Sequence, residues 1–278
     1  MDILIAFLVV FAIALVLGVM LALVSHFFYV PDDPTKEKVR ACLPGINCGA
    51  CGYKGCDDYA SAIADGSCDK PNLCIPGAQA VADEIGAIIG VKAEPFDDVV
   101  AFVACNGHCG ATSNKAEYEG VKTCEAASML FGGPGACSYG CLGLGDCAKV
   151  CPANAICTID GVARVDTSRC LGCGVCAKAC PKGMIHMLPQ DAAVAIMCNN
   201  KDKGVDARKA CSNACIGCKK CEKACPQEAI RVVDNLAVID YDKCSGCGAC
   251  VEGCPTGCLK KVFFPDLPEG VVAEDLLD

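Results

Sequence analysis

Residues 3–30 form an apolar stretch without Asp, Glu, Lys or Arg. About 20 apolar residues cross a bilayer as a helix, so the pattern predicts a transmembrane anchor over residues 1–30. A cleaved leader would open on basic residues and carry a shorter apolar core; this chain opens on Met1-Asp2. Lys36, Lys38 and Arg40 follow the stretch and no Lys or Arg precedes it. The positive-inside bias then puts the rest of the chain in the cytoplasm, with a single pass through the membrane. A Pro/Asp-rich linker is expected over residues 31–35. Residues 57–64 read as a short Ala-rich helix. Residues 77–90 read as an amphipathic helix with Val81, Ile85, Ile88 and Ile89 facing inward. Further along, AICTIDGVARVD (155–166) and AIRVVDNLAVID (229–240) each read as a strand, a turn and a strand. This internal repeat predicts an α+β fold with a duplicated C-terminal half.

Composition changes this picture through one residue type. The 278-residue chain has 29 cysteines, no Trp and only 5% aromatic residues. Large side chains therefore cannot fill a sizeable core, and folding must lean on bound metal. Three runs follow C-x2-C-x2-C-x3-C-P: Cys170, Cys173, Cys176 and Cys180 with Pro181; Cys215, Cys218, Cys221 and Cys225 with Pro226; Cys244, Cys247, Cys250 and Cys254 with Pro255. Cysteines this closely spaced cannot all pair as disulfides without strain, and the odd total leaves one over. Zinc sites use separated Cys pairs or Cys with His, and His26, His108 and His186 are not spaced as ligand pairs. The runs match the spacing that wraps cubane iron–sulfur clusters. Unpaired thiols imply a reducing compartment. The formal charge of −9 excludes a nucleic-acid role on electrostatic grounds.

Five sites for [4Fe-4S] clusters are expected. In residues 31–95, a small helical module, Cys48, Cys51 and Cys56 are closely spaced among glycines, and Cys74 is the expected fourth ligand, with Cys68 a weaker substitute. Cys42 and Cys68 otherwise read as small buried residues. The remainder resembles two tandem bacterial two-cluster ferredoxin domains, over residues 96–190 and 191–264, followed by an acidic tail, 265–278. In such pairs the fourth cysteine of a run serves the other cluster. Cys215, Cys218 and Cys221 would then join Cys254, and Cys244, Cys247 and Cys250 would join Cys225. In the first pair, Cys170, Cys173 and Cys176 would join Cys151. Its partner run, Cys141-LGLGD-Cys147-AKV-Cys151, holds Leu144 where a middle cysteine is expected. Cys137 is the expected replacement, with Cys141, Cys147 and Cys180; the alternative is a site with three cysteines. Cys105, Cys109 and Cys124 look like most of a sixth site. Cys137 would complete it, but cannot serve two sites. Cys157, Cys198 and Cys258 read as buried thiols, and spacing does not explain Cys211.

The arrangement resembles the B subunit of Rnf complexes, the ion-translocating ferredoxin:NAD oxidoreductases of bacteria. LPGxNCGACGYKGC directly behind a membrane anchor is its most specific part, and two ferredoxin pairs match the extended type of anaerobes. The resemblance implies a polyferredoxin subunit in the bacterial cell membrane. It would take electrons from soluble reduced ferredoxin and pass them to other membrane subunits, which hold the flavin, nicotinamide and ion sites. The residues agree: Gly143 and Gly145 lie between cluster cysteines and open no dinucleotide-binding unit, and no catalytic acid, base or nucleophile is visible. The alternative is a relay or reservoir subunit of another membrane redox complex. Lys201, Lys203, Arg208, Lys209, Lys219, Lys220 and Lys223 gather around the second pair. They are expected either to receive an acidic donor or to be ordinary surface charges.

Overall fold

The first helix, α1, runs Asp2–Phe27. The computed structural model describes residues 2–27, 33–96 and 98–262. The window Val10–Phe27 has a mean hydropathy of 2.5, and none of it packs against the rest of the chain. It is the one helix among the described residues that is long and apolar enough to cross a membrane. A helix apolar on every side, unburied by the described residues over that window, suits hydrocarbon surroundings.

Helix α2, Pro34–Cys42, corrects the expected linker. The Asp33 carboxylate accepts the Thr35 N–H at 2.8 Å, and Pro34 takes the first helical position, where its missing N–H costs nothing. The linker thus ends at Asp33. Residues 31 and 32, the end of the expected anchor and the acidic tail lie outside the described residues. Helices α3 (Cys56–Ala64) and α4 (Ala78–Ile89) complete the module. Val39, Tyr59, Ile63 and Ile85 form its core, and Val81, Ile88 and Ile89 pack partly buried against it. Gly90, at φ +74°, ends α4 in the left-handed conformation that closes many helices.

Two units of matching topology follow. The first holds strand β1 (Val99–Val103), short helices α5 (Cys124–Met129) and α6 (Asp146–Lys149), and strands β2 (Ile156–Ile159) and β3 (Val162–Val165). Helix α7 (Val175–Ala179) and strand β4 (Ile185–Pro189) complete it. The second holds β5 (Val194–Ile196), α8 (Gly204–Ala210), α9 (Lys220–Ala224), β6 (Ile230–Val233), β7 (Leu236–Ile239), α10 (Ala249–Glu252) and β8 (Leu259–Lys261). The repeat appears as the antiparallel hairpins β2–β3 and β6–β7. Each unit is closed by a long-range antiparallel pair, β1 with β4 and β5 with β8. Ile156, Val162 and Met184 in the first core, and Val194, Ile230 and Leu259 in the second, are interleaved with alanines and cysteines. Aliphatic and small residues pack around the thiols, and no aromatic side chain is buried in either core.

Candidate metal centres

The first site lies in the helical module. Cys48 and Cys51 lie in the turn before α3, and Cys56 is the first residue of α3. Asn47 accepts the Cys56 N–H on its Oδ1 at 2.8 Å, which fixes that turn. Cys74 is buried between two single turns of 3₁₀ helix. Its thiol pKa is pushed up to about 11, chiefly by burial and then by its neighbours Cys56, Cys48 and Cys51. Cys48, Cys51 and Cys56 are therefore neighbours of Cys74. Cys42 and Cys68 instead direct their S–H groups to the backbone carbonyls of Lys38 (3.2 Å) and Lys70 (3.8 Å).

Each ferredoxin-like loop is built alike. In Cys170-Leu-Gly172 and Cys215-Ile-Gly217 the glycine has φ +64° and +62°. A Cβ on Gly172 would lie 2.4 Å from the Val99 carbonyl oxygen, so no other residue fits there. A left-handed residue then opens a short helix carrying the last cysteine of the trio: Gly174 before α7, Lys219 before α9 and Gly248 before α10. Cys151, Cys170, Cys173 and Cys176 line one cavity. Cys215, Cys218, Cys221 and Cys254 line another. Cys225, Cys244 and Cys247 crowd Cys250.

The irregular loop corrects an expectation. Gly143 and Gly145 repeat the left-handed pattern at φ +66° and +78°, and Leu144 stands where the middle cysteine would be. The structure brings Cys124, not Cys137, to the cavity lined by Cys141, Cys147 and Cys180. Thr123 caps α5, accepting the Ala126 N–H at 3.2 Å. Asp146 ties α5 to α6 by accepting the Glu125 N–H at 3.0 Å. The Cys147 thiol is pushed up to about 12, by burial first and then by Cys141, Cys124 and Cys180. Cys137 is carried elsewhere because the strip before it pairs with residues 113–115: Ala136 N–H to Ser113 O at 2.7 Å and Lys115 N–H to Pro134 O at 2.8 Å. The grouping of Cys105, Cys109 and Cys124 is likewise not formed. Cys109 is exposed and donates its S–H to Asp160 O at 3.1 Å. Cys105 and Cys137 instead line a neighbouring cavity with Cys198 and Cys211, which Cys141 also borders.

Among the described residues no three His, Cys, Asp or Glu side chains are grouped to hold a lone ion. Three of the four-thiol sets instead line cavities, as a cubane with one thiolate per iron requires. Burial raises the Cys147, Cys176 and Cys221 thiols, which disfavours their thiolate form; bound iron would reverse that balance, since a coordinating thiol loses its proton. Backbone N–H groups already point at the sulfurs, from Ala155 to Cys151 (3.3 Å), Met184 to Cys180 (3.4 Å) and Ala229 to Cys225 (3.3 Å).

Comparison with known proteins agrees with this chemistry. Three family profiles match, described as "Putative Fe-S cluster" over residues 43–76, "4Fe-4S binding domain" over 163–186 and "4Fe-4S dicluster domain" over 208–255. The B subunit of the proton-translocating ferredoxin:NAD(+) oxidoreductase complex of Clostridium ljungdahlii is 47% identical over 233 residues, 84% of this chain and 82% of that one. This chain belongs to the family of Rnf B subunits. The B subunit of the Na(+)-translocating complex of Acetobacterium woodii is 42% identical over 83% of this chain and 69% of its own length. The B subunit of an ion-translocating oxidoreductase complex of Methanosarcina acetivorans is 40% identical over 82% and 86%. As an Rnf B subunit with 4Fe-4S domains, the chain is an electron-transfer subunit.

Two placements escaped sequence reasoning. Cys124 lies well outside the Cys141–Cys147 loop, and no short spacing links them. Cys198 and Cys211 meet Cys105 and Cys137 only through the fold. The one available signal was arithmetic: after the regular runs are filled, these cysteines remain over.

Proposed function

We propose that this Rnf B subunit relays single electrons from reduced ferredoxin to its membrane partners through cubane clusters held in a row. The ligand sets are Cys48, Cys51, Cys56 and Cys74; Cys151, Cys170, Cys173 and Cys176; Cys124, Cys141, Cys147 and Cys180; Cys215, Cys218, Cys221 and Cys254; and Cys225, Cys244, Cys247 and Cys250. The two C-terminal units are tandem two-cluster ferredoxin domains. Helix α1 anchors the chain by a single pass, with the remainder in the cytoplasm. The nicotinamide, flavin and ion sites belong to other subunits. Bound there, a cubane would supply one-electron chemistry. The chain's own residues grip it, exclude water and aim N–H groups at its sulfurs, which tunes potential.

The order of the sites carries this reading. Cys48 of the helical module neighbours Cys173, and Lys178 donates to the Ala50 carbonyl at 3.3 Å across the same contact. Cys176 in turn neighbours Cys147. A reservoir has no need of such a line, whereas a relay does. Electrons would enter at the distal pair and leave through the membrane-proximal module.

Electron uptake at the distal pair is supported by exposure and charge. Cys218 is exposed, as are Lys219, Lys220 and Lys223 beside it in sequence and Lys201, Lys203, Arg208 and Lys209 earlier in the same unit. Such a patch would steer an acidic ferredoxin. A complex reconstituted without this chain should not reduce NAD with ferredoxin as donor, and adding the chain back should restore the reaction. An unchanged rate without it would contradict the relay. Reversing the charges, Lys219→Glu with Lys220→Glu, should slow reduction of the chain by ferredoxin at low salt and matter little at high salt.

A further inference from the structure

Four cysteines outside the five sites close on one cavity. Cys105 follows β1, Cys137 precedes the irregular loop, Cys198 follows β5 and Cys211 ends α8. Cys137 neighbours both Cys198 and Cys211, and Cys105 neighbours Cys211. A Cβ built on Gly107 would stand 3.5 Å from Cys105 Sγ and 3.7 Å from Cys211 Sγ, so one small volume is shared by both thiols. We propose that Cys105, Cys137, Cys198 and Cys211 hold a sixth [4Fe-4S] cluster at the seam between the two units. The inference rests on the cluster reading above and adds to it a ligand set that no run of cysteines announces.

Hydrogen-bond direction separates these four thiols from spare ones. The spare thiols Cys42, Cys68 and Cys109 all give their protons to backbone carbonyls. The seam cysteines accept instead. Cys105 Sγ accepts from Gly107 N–H at 3.4 Å. Cys198 Sγ accepts from Asn200 N–H at 3.5 Å and Cys215 N–H at 3.2 Å. Cys137 Sγ accepts from Asn200 Nδ2 at 3.3 Å, and the backbone N–H of Asn213 faces Cys211. Acceptance from N–H is the pattern at Cys151, Cys180 and Cys225, and it is what a metal-bound thiolate needs. Asn200 is only 1% exposed. Its Oδ1 is held by Asp202 N–H at 2.7 Å, leaving the amide donor aimed at the cavity. A buried amide without a strong acceptor would be costly.

The seam is fastened around the cavity. Thr112 donates its hydroxyl to Ala210 O at 2.7 Å, Ser212 N–H reaches Ala111 O at 2.9 Å, and Asn213 Nδ2 reaches Asn106 O at 2.9 Å. On one side Cys105 neighbours Cys141 of the first unit. On the other, the Cys215 N–H bonds Cys198 Sγ directly. The site therefore lies between the two units' clusters and joins them into one path. Loading replaces four S–H bonds by four S–Fe bonds and releases four protons. In the relay one electron arrives from one neighbouring cluster and one leaves to the other, and no bond changes.

The test uses the full chain, purified in detergent without air, with iron, acid-labile sulfide and reduced-state EPR measured per chain. Cys198→Ala and Cys211→Ala should each lose about four irons and four sulfides relative to the parent. The double variant should lose the same amount, not twice as much, because both residues serve one cluster. Cys109→Ala and Cys42→Ala should lose none. Full retention in the single variants, or a doubled loss in the double, overturns the proposal. Should a variant fail to fold, the parent decides: about 24 irons supports the sixth site and about 20 overturns it. A parent without labile sulfide would instead bring down the cluster reading on which this one rests.

Discussion

Cys258 lies 3.6 Å from Cys254, sulfur to sulfur, and is 2% exposed. If Cys254 is bound to iron it has no proton, so Cys258 must be the donor. A hydrogen bond to a ligating sulfur stabilises the reduced, more negative cluster. Cys258→Ala should therefore lower that cluster's potential by roughly 20–40 mV, the equivalent of a weak hydrogen bond of ~0.5–1 kcal/mol; a redox titration followed by EPR reads it, and an unmoved potential would show that Cys258 does not tune the cluster. Lys219 adopts φ +59° where the equivalent loops use Gly145, Gly174 and Gly248. Left-handed backbone costs an ordinary residue about 1–2 kcal/mol, and the strained residue here puts a charge next to exposed Cys218. Lys219→Gly should raise the melting temperature slightly yet slow reduction by ferredoxin at low salt; a faster or unchanged reduction would mean the lysine is only a surface charge.

At the scale of elements, the first turn of α2 depends on its cap. Asp33→Ala removes the acceptor for Thr35 N–H and should cost about 1 kcal/mol, seen as a lower melting temperature of the helical module. The hairpins β2–β3 and β6–β7 were legible in the sequence, because strand, turn and strand lie within a dozen residues. Helix α4 was legible from its apolar spacing. Helix α2 was not, because Pro34 reads as a linker residue until Asp33 is seen to cap it. The pairs β1–β4 and β5–β8 join strands far apart in sequence, so no local pattern announces them. The same distance rule divides the metal ligands. Cys170, Cys173 and Cys176 are read from one loop, while Cys124 reaches its site only because Asp146 ties α5 to α6. Cys105, Cys137, Cys198 and Cys211 were dispersed or left unassigned by sequence reasoning, since each sits on a different segment.

For the whole molecule, the two C-terminal cores are made of cysteine and aliphatic residues, with no buried aromatic side chain, around thiol-lined cavities. Such cores bury little area per residue, so binding free energy of the clusters is also folding free energy. Removing iron with a chelator under anaerobic conditions should loosen both C-terminal units, seen as lost protection of the β2–β3 and β6–β7 amides in hydrogen exchange, while α1 stays helical in detergent. Retained protection would mean the protein scaffold stands alone. With ferredoxin as the proposed donor, the chain's −9 formal charge and the lysines beside Cys218 should make the encounter depend on salt. Fold, relay and seam site all depend on thiolates holding cubane iron rather than another metal. Acid-labile sulfide and iron, measured together on the full chain purified without air, test this most directly. The expected result is equal amounts of the two and EPR signals from several interacting reduced clusters. Metal without sulfide, or zinc in place of iron, would contradict it.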